Sequence, residues 1–399
     1  MKFDRSTYRL TDAGSLGRIA LIVGIVGLAA SALGLLQDKT QFFLAYMTSL
    51  MFWLTIGLGG LFFTMLHHLT GAKWSTVIRR MSESVAASMP LMLILFIPLL
   101  FGLHELFHWS HEGVYDPSSP LYDELLAKKQ AYLNTPFFLI RAAIYFGVWI
   151  LLSRWLTSGS HKLDTQYDPA IIKRLRTVSA PGMVAFALTI TFASFDWLMS
   201  LDAHWFSTIF GVYIFSGAFL AVMSFLIVLG LYQRKHDVMA DVITVEHYHD
   251  MAKLMFGFII FWAYMAFSQY FLIWYANIPE ENYWYLYRWE NSWKYWSLAI
   301  IFGHFVIPFL GLITRAAKRS GPFLAFMCTW ILIMHWFDIY WLVMPTHHQD
   351  GIHFSWMDVT TLVGVGGLFV WYVWRHYSAH PLVPVKDPGL KASLEFVNT

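Results

Sequence analysis

Along the chain, long apolar runs alternate with short polar breaks. Ten runs are apolar for about 20 residues or more, over about 16–36, 41–66, 85–107, 136–157, 178–200, 207–232, 252–276, 293–314, 321–345 and 354–375. At about 1.5 Å per helical residue, each can cross a hydrocarbon core of about 30 Å. The pattern predicts an all-α polytopic membrane protein with ten transmembrane helices, forming one integral membrane domain over 1–399. The first run does not read as a cleaved signal peptide, because its polar lead (Lys2, Asp4, Arg5, Arg9, Asp12) is long and no small-residue cleavage pattern follows. The longest connections, roughly 108–135, 158–177 and 277–292, are too short to fold alone and read as caps or partner-binding loops.

Lysine and arginine set the expected orientation. Of the 27 such residues, 21 fall on the side that carries both termini, five fall on the other side, and Arg141 lies within span four. A wrong span count would mix the two sides. Both termini are therefore expected in the cytoplasm, with 108–135 and 277–292 facing outward. The stretch 279–296 (PEENYWYLYRWENSWKYW) is dense in tyrosine and tryptophan, which suits an interfacial belt or a surface that anchors partners.

Composition agrees. Only 13% of residues are charged and 57% are hydrophobic, against roughly 25% charged in soluble domains. That excludes an ordinary soluble enzyme and a disordered chain. A net charge of +2 provides no basic domain for nucleic acid. Cys328 is the only cysteine, so the chain offers no cysteine ligand set for zinc or an iron–sulfur cluster and no haem attachment pair. The expectation is that it binds no metal of its own.

Against this apolar background, ionisable residues within spans ask for a reason, since each costs at least about 2.5–3.5 kcal/mol at the bilayer centre. Counting from the span starts, Glu105 (span three), Asp196 (five) and Asp338 (nine) lie about 26–30 Å from the inner side, and Arg141 (four) about 8 Å from the outer side. The four converge on the outer third, joined by His104, His108 and His335. His335 and Asp338 share a helix face. His304, about 16 Å into span eight, is too deep to snorkel, and Tyr264, about 18 Å into span seven, lies near its level. Ser268 and Gln269 follow Tyr264. The expectation is one outward-facing polar cavity holding Asp196, Asp338 and Glu105 with Arg141 beside a carboxylate, extended inward by His304 and Tyr264. His67, His68 and Glu83 could begin a matching path from the inner side. The plainer alternative is that Arg141 neutralises one carboxylate and the others reach the headgroups.

Residues 104–108 (HELFH) match the zinc-protease pattern, in which two histidines one turn apart hold zinc and the glutamate acts as base. A third zinc ligand is not evident. An intramembrane zinc metalloprotease is thus one alternative, and haem held between helices by His104, His304 or His335 is another.

Several longer stretches carry a resemblance: 68–80 (HLTGAKWSTVIRR), 102–111 (GLHELFHWSH), 132–141 (YLNTPFFLIR), 195–211 (FDWLMSLDAHWFSTIFG) and 261–280 (FWAYMAFSQYFLIWYANIPE). Together they resemble a family of quinone-binding membrane subunits in bacterial alternative complex III, a quinol:cytochrome c oxidoreductase. That family is itself related to polysulfide-reductase membrane subunits. The resemblance covers about residues 40–375 and absorbs the HELFH match without zinc. It implies two four-helix bundles plus two peripheral helices, in the bacterial cytoplasmic membrane. The implied partners are a homologous membrane subunit, an iron–sulfur subunit and cytochrome c subunits, with lipids and a terminal oxidase as further neighbours. Iron–sulfur clusters and haem would belong to those partners. Whether menaquinone binds this chain, near Arg141 and His104, stays open. Asp196 and Arg141 fall inside matching motifs, and Asp338 falls in 334–338 (MHWFD). Two functions follow: proton transfer in quinol oxidation through Asp196, Asp338, Glu105, His304, Arg141, His335 and Tyr264, or a scaffold in which those groups only staple helices.

Overall fold

In the computed structural model, residues 1–398 are described, and ten helices are long and apolar enough to cross a membrane. They are span one (Leu16–Gln37), two (Lys39–Thr70), three (Thr76–Leu106), four (Thr135–Lys162), five (Pro169–Leu201), six (Phe210–Lys235), seven (Val245–Ala276), eight (Trp293–Leu312), nine (Gly321–Thr346) and ten (Trp356–Ser378). All ten expected runs are present. Most extend beyond the apolar stretch because polar caps set their ends. Asp38, Asn134 and Asp168 accept backbone N–H bonds at the starts of spans two, four and five, and Gly71 closes span two in the left-handed conformation (φ 64°) that favours glycine.

Spans two to five pack as one bundle and six to nine as a second, with spans two and six side by side at the seam. The seam is close: a Cβ on Gly59 would lie 2.5 Å from the Ala218 carbonyl oxygen. Spans one and ten form a peripheral pair through facing glycines, where a Cβ on Gly27 would come within 2.7 Å of the Gly364 Cα. Small residues permit this approach, and helix packing in lipid relies on it.

Two spans break regular α-geometry. Span three tightens to a 3₁₀ segment at Ile97–Gly102, begun by Pro98, and ends at Leu106. Span eight widens into a π-helical turn at Ile301–Val306. Pro308 follows that turn and has no N–H to offer the His304 carbonyl. Trp330 of span nine donates its indole N–H to the Gly303 oxygen at 2.7 Å. Single π turns recur at functional sites.

Both termini lie at one end of the molecule. Residues Lys2–Asp4 and Arg9–Asp12 pair as a small hairpin, tied to the C-terminal tail by Leu382 N–H donating to the Tyr8 carbonyl. The tail runs back beneath spans three and four, with Lys386 N–H bonded to Leu163 O. At the opposite, far end, the aromatic stretch 279–296 is divided: Leu286, Trp289 and Tyr295 are exposed, while other members turn inward. Trp284, Tyr285, Tyr287, Arg288 and Trp293 are buried, and Trp284 stacks on Trp205 at 4.2 Å. Arg288 lies over the Trp284 ring and donates to the carbonyls of Trp341 and Leu342 at the end of span nine. Cation–π contact and capping of free carbonyls thus turn the segment inward as a lid.

Candidate functional site

In the first bundle, Asp196 of span five receives a two-pronged bond from Arg141 of span four: Nε to Oδ2 at 2.7 Å and Nη2 to Oδ1 at 3.0 Å. Tyr145 donates its hydroxyl to Oδ2 at 2.7 Å. The third guanidinium nitrogen, Nη1, donates to the Tyr132 carbonyl at 2.8 Å, and the Tyr132 ring lies 3.8 Å from the guanidinium carbon. Both charges are buried. This fork fixes geometry as well as charge.

In the second bundle, Asp338 of span nine is 2% exposed and has no cationic partner among the described residues. It accepts from the Tyr213 hydroxyl of span six and from the Trp262 indole of span seven, the latter at 3.1 Å. His304 packs against Trp262 with ring centroids 4.1 Å apart and lies 6.3 Å from the His335 ring. The His335 Nε2 meets Thr55 Oγ1 of span two at 2.9 Å, across the seam. Gly217 gives the imidazole room, since a Cβ there would sit 3.1 Å from it. Neither ring nitrogen of His304 meets a polar partner among the described residues.

A cavity of about 430 Å³ lies between spans seven and eight, under the aromatic lid. Tyr213 and Trp262, the two groups that hold Asp338, are in its wall, with Ala263, Ala266 and Phe305. Gln269, Tyr285 and Ser297 add polar groups; Gln269 accepts from Ser207 and donates to Tyr285, both at 2.9 Å. Phe267 and Ile301, also in the wall, are exposed on the outer surface of the helices, so the mouth is lateral. An apolar hollow with a few convergent polar groups is the usual form of a small-molecule site. Aromatic residues line nearly every span, so nothing in the sequence singled this one out.

The expected single cavity is therefore corrected. Asp196 and Arg141 belong to one bundle, Asp338, His335 and His304 to the other, and Glu105 to neither cluster. Glu105 sits at the far rim, 2.9 Å from Lys39 Nζ, and accepts from the Thr40 hydroxyl. Tyr264 does not extend the line: it is 61% exposed and points away from the bundle. Its neighbours Trp262 and Gln269 are the inward residues, because the face of span seven is set by its contacts with spans six and eight. Arg141 and His104 do not line the cavity.

The zinc arrangement also fails on geometry. The helix ends at Leu106, Phe107 is extended, and His108 begins a 3₁₀ turn. His104 and His108 therefore do not face one another across a helical turn. His104 stacks on His111 at 4.0 Å instead, and Glu105 is held by Lys39. Haem is no better served, since neither His304 nor His335 lines the cavity.

At the terminus-bearing end, His67 and Glu83 join a larger buried network with Ser75, Arg79 and Arg80 between them in sequence and two carboxylates from distant parts of the chain. His67 contacts Ser75 at 2.6 Å and Arg79 at 2.9 Å. Glu83 lies 3.0 Å from Arg79 and 3.2 Å from Arg80. Arg79 also pairs with Asp387 of the tail at 2.8 Å, and Arg80 with Asp164. Burial pushes Asp164 up to about 6, while Arg80 pulls it down. His68 is buried beside them, its Nε2 without a hydrogen-bond partner among the described residues. A hollow of about 360 Å³ lined by His67, Ser75, Asp250 and Lys253 opens there.

No family model matches the chain, and no curated protein matches it. The site must be read from its own chemistry.

Proposed function

We propose that the chain is a membrane subunit of a quinol-oxidising electron-transfer complex, moving protons through its second bundle and receiving a quinone headgroup in the cavity between spans seven and eight. One observation carries this reading. Asp338 is a buried carboxylate with no cation beside it among the described residues, held by two side chains, Tyr213 and Trp262, that also form the cavity wall. A carboxylate that no fixed charge pins can gain and lose a proton when a neighbour changes state, and a lipid-soluble ligand arriving sideways is such a neighbour. His335, across the seam toward Thr55, extends the polar line. The resemblance to the quinone-binding membrane subunits of alternative complex III supports the same reading, with iron–sulfur and cytochrome c partners supplying the redox centres, menaquinone as a candidate quinone, and both termini in the bacterial cytoplasm.

Arg141 and Asp196 take a structural role here. Their bidentate pair, closed by Tyr145, staples spans four and five.

The test is Asp338→Asn in the assembled complex, which keeps size and most hydrogen bonding but removes titration. Turnover or the proton-to-electron ratio should fall while the iron–sulfur centres still reduce. Unchanged rate and ratio leave a scaffold as the better reading.

A further inference from the structure

Three histidines gather where spans four and ten end on the terminus-bearing side: His161, His376 and His380. Each can offer a ring nitrogen such that all three lie within 4.8 Å of one another. They come from separate elements. His161 is in the last turn of span four, His376 is in the last turn of span ten, and His380 is one turn further on, in the bend after it. Among the described residues, the Nε2 of His161 is buried without a hydrogen-bond partner, and His376 Nδ1 meets Ser84 Oγ at 3.2 Å. The helix ends at Ser378, between His376 and His380, and the bend after it lays His380 against His161, which brings the three imidazoles together.

We propose that His161, His376 and His380 form a binding site for a divalent transition-metal ion, zinc in the first instance, with water as the fourth ligand. Zinc takes three imidazoles and a water in tetrahedral geometry. Imidazole donors without thiolate or carboxylate suit zinc, copper and nickel over magnesium or calcium. The three rings border an open cleft of about 560 Å³, which gives both a path for the ion and room for the water.

Arg80, close by, is matched by Glu83 and Asp164, which offsets its repulsion of a bound cation, and Arg154 stands on the cleft wall.

Ligation needs one local change. The rings of His161 and His380 are stacked at 3.7 Å, and tetrahedral zinc with bonds of about 2.0–2.1 Å sets its nitrogens about 3.3 Å apart. The nitrogens must therefore turn toward a common centre and close by up to about 1.5 Å. His380 lies beyond the end of the helix, so it is the ring that turns. The bound ion would tie span four of the first bundle to span ten of the peripheral pair. This site is separate from the cavity between spans seven and eight and does not depend on the function proposed for it.

The experiment uses the purified full chain, stripped with chelator and titrated with Zn²⁺ by calorimetry. One ion should bind per chain. His380→Ala and His376→Ala should each weaken binding by about 10–100-fold or more, at least the loss seen on removing outer-shell partners in metal sites. His353→Ala should leave it intact, although His348, Asp350 and His353 form another cluster at the far end. X-ray absorption on the wild-type loaded protein should report three imidazoles and one oxygen, which keeps the test valid if a variant misfolds. Absence of saturable binding, loss on His353→Ala rather than His380→Ala, or a shell with fewer than three imidazoles overturns the proposal.

Discussion

Asp196 and Asp338 occupy the same place in successive bundles, yet only Asp196 faces a guanidinium. Each follows a phenylalanine (Phe195, Phe337) in the last helix of its four-helix bundle, near the far end. Each also accepts a tyrosine hydroxyl, from Tyr145 and Tyr213 respectively. The difference is that Arg141 closes the first site while a tryptophan and a cavity complete the second. The same structural position thus serves a fixed ion pair in one bundle and an uncompensated carboxylate in the other.

Breaking the first pair should therefore be costly to the fold. Arg141→Met leaves Asp196 buried without its cation, and loss of one partner of a buried pair costs about 3–5 kcal/mol. The double variant Arg141→Met with Asp196→Asn should recover part of that loss. Thermal unfolding of the detergent-solubilised chain measures both. A single variant as stable as wild type would mean that the pair does not hold spans four and five together.

The span count was legible because burial in lipid demands long apolar runs. The helix ends were not, because polar turns continue the helices past those runs: span three begins at Thr76 rather than about 85, and span five at Pro169 rather than about 178. The pairing of Arg141 with a carboxylate was legible from matched depth. Depth alone could not assign azimuth, however, and azimuth decides the rest. Tyr264 and Trp262 are two residues apart, so one faces out while the other touches Asp338. Glu105 has the right depth but lies after a 3₁₀ break that carries it to the rim beside Lys39. Glu83 is held by Arg79 and Arg80, four and three residues before it on its own helix. The carboxylates that share those arginines, Asp164 and Asp387, come from a loop and a tail distant in sequence and could not be read from spacing.

The exposed face of span seven gives a contrast. Tyr264→Phe should leave turnover unchanged and stability within about 0.5 kcal/mol, as for surface positions generally. Tyr213→Phe removes a hydrogen-bond donor from buried Asp338 and should slow turnover in the assembled complex. Equal effects of the two substitutions would contradict the placement of the site.

At the far rim, Glu105→Gln breaks only a partly exposed ion pair with Lys39. The expected loss is under about 1 kcal/mol. Because the helix ends between His104 and His108, neither this change nor His104→Ala should alter any peptide hydrolysis above background in a casein or lipid-embedded peptide assay. Hydrolysis by wild type that disappears in Glu105→Gln would restore the metalloprotease reading.

Orientation is testable independently of function. Ser118 is exposed in the connection after span three and Thr165 is exposed in the connection after span four, at opposite ends of the molecule. With Cys328 buried, Ser118→Cys and Thr165→Cys give single accessible thiols. In intact spheroplasts an impermeant maleimide should label Ser118→Cys alone, as the distribution of lysine and arginine requires. Labelling of Thr165→Cys alone would invert the topology, and labelling of both would break it.

The cavity itself allows the most direct test of the quinone reading. Ala263 and Ala266 are small residues in its wall, beside Trp262 and opposite span eight. Ala266→Phe places a ring in the hollow without replacing Tyr213, Asp338 or His304. If a headgroup occupies this space, the substitution should raise the apparent KM for a short-chain quinol by at least about tenfold, equivalent to about 1.4 kcal/mol of binding. Maximum turnover should change less, because the groups proposed to carry protons remain. Photolabelling with an azidoquinone should also move away from the peptide containing residues 262–270. If KM and labelling both stay as in wild type, quinol binds elsewhere in the complex. The cavity would then belong to a lipid chain, and Asp338 would have to be driven by a partner protein rather than by a ligand in this one.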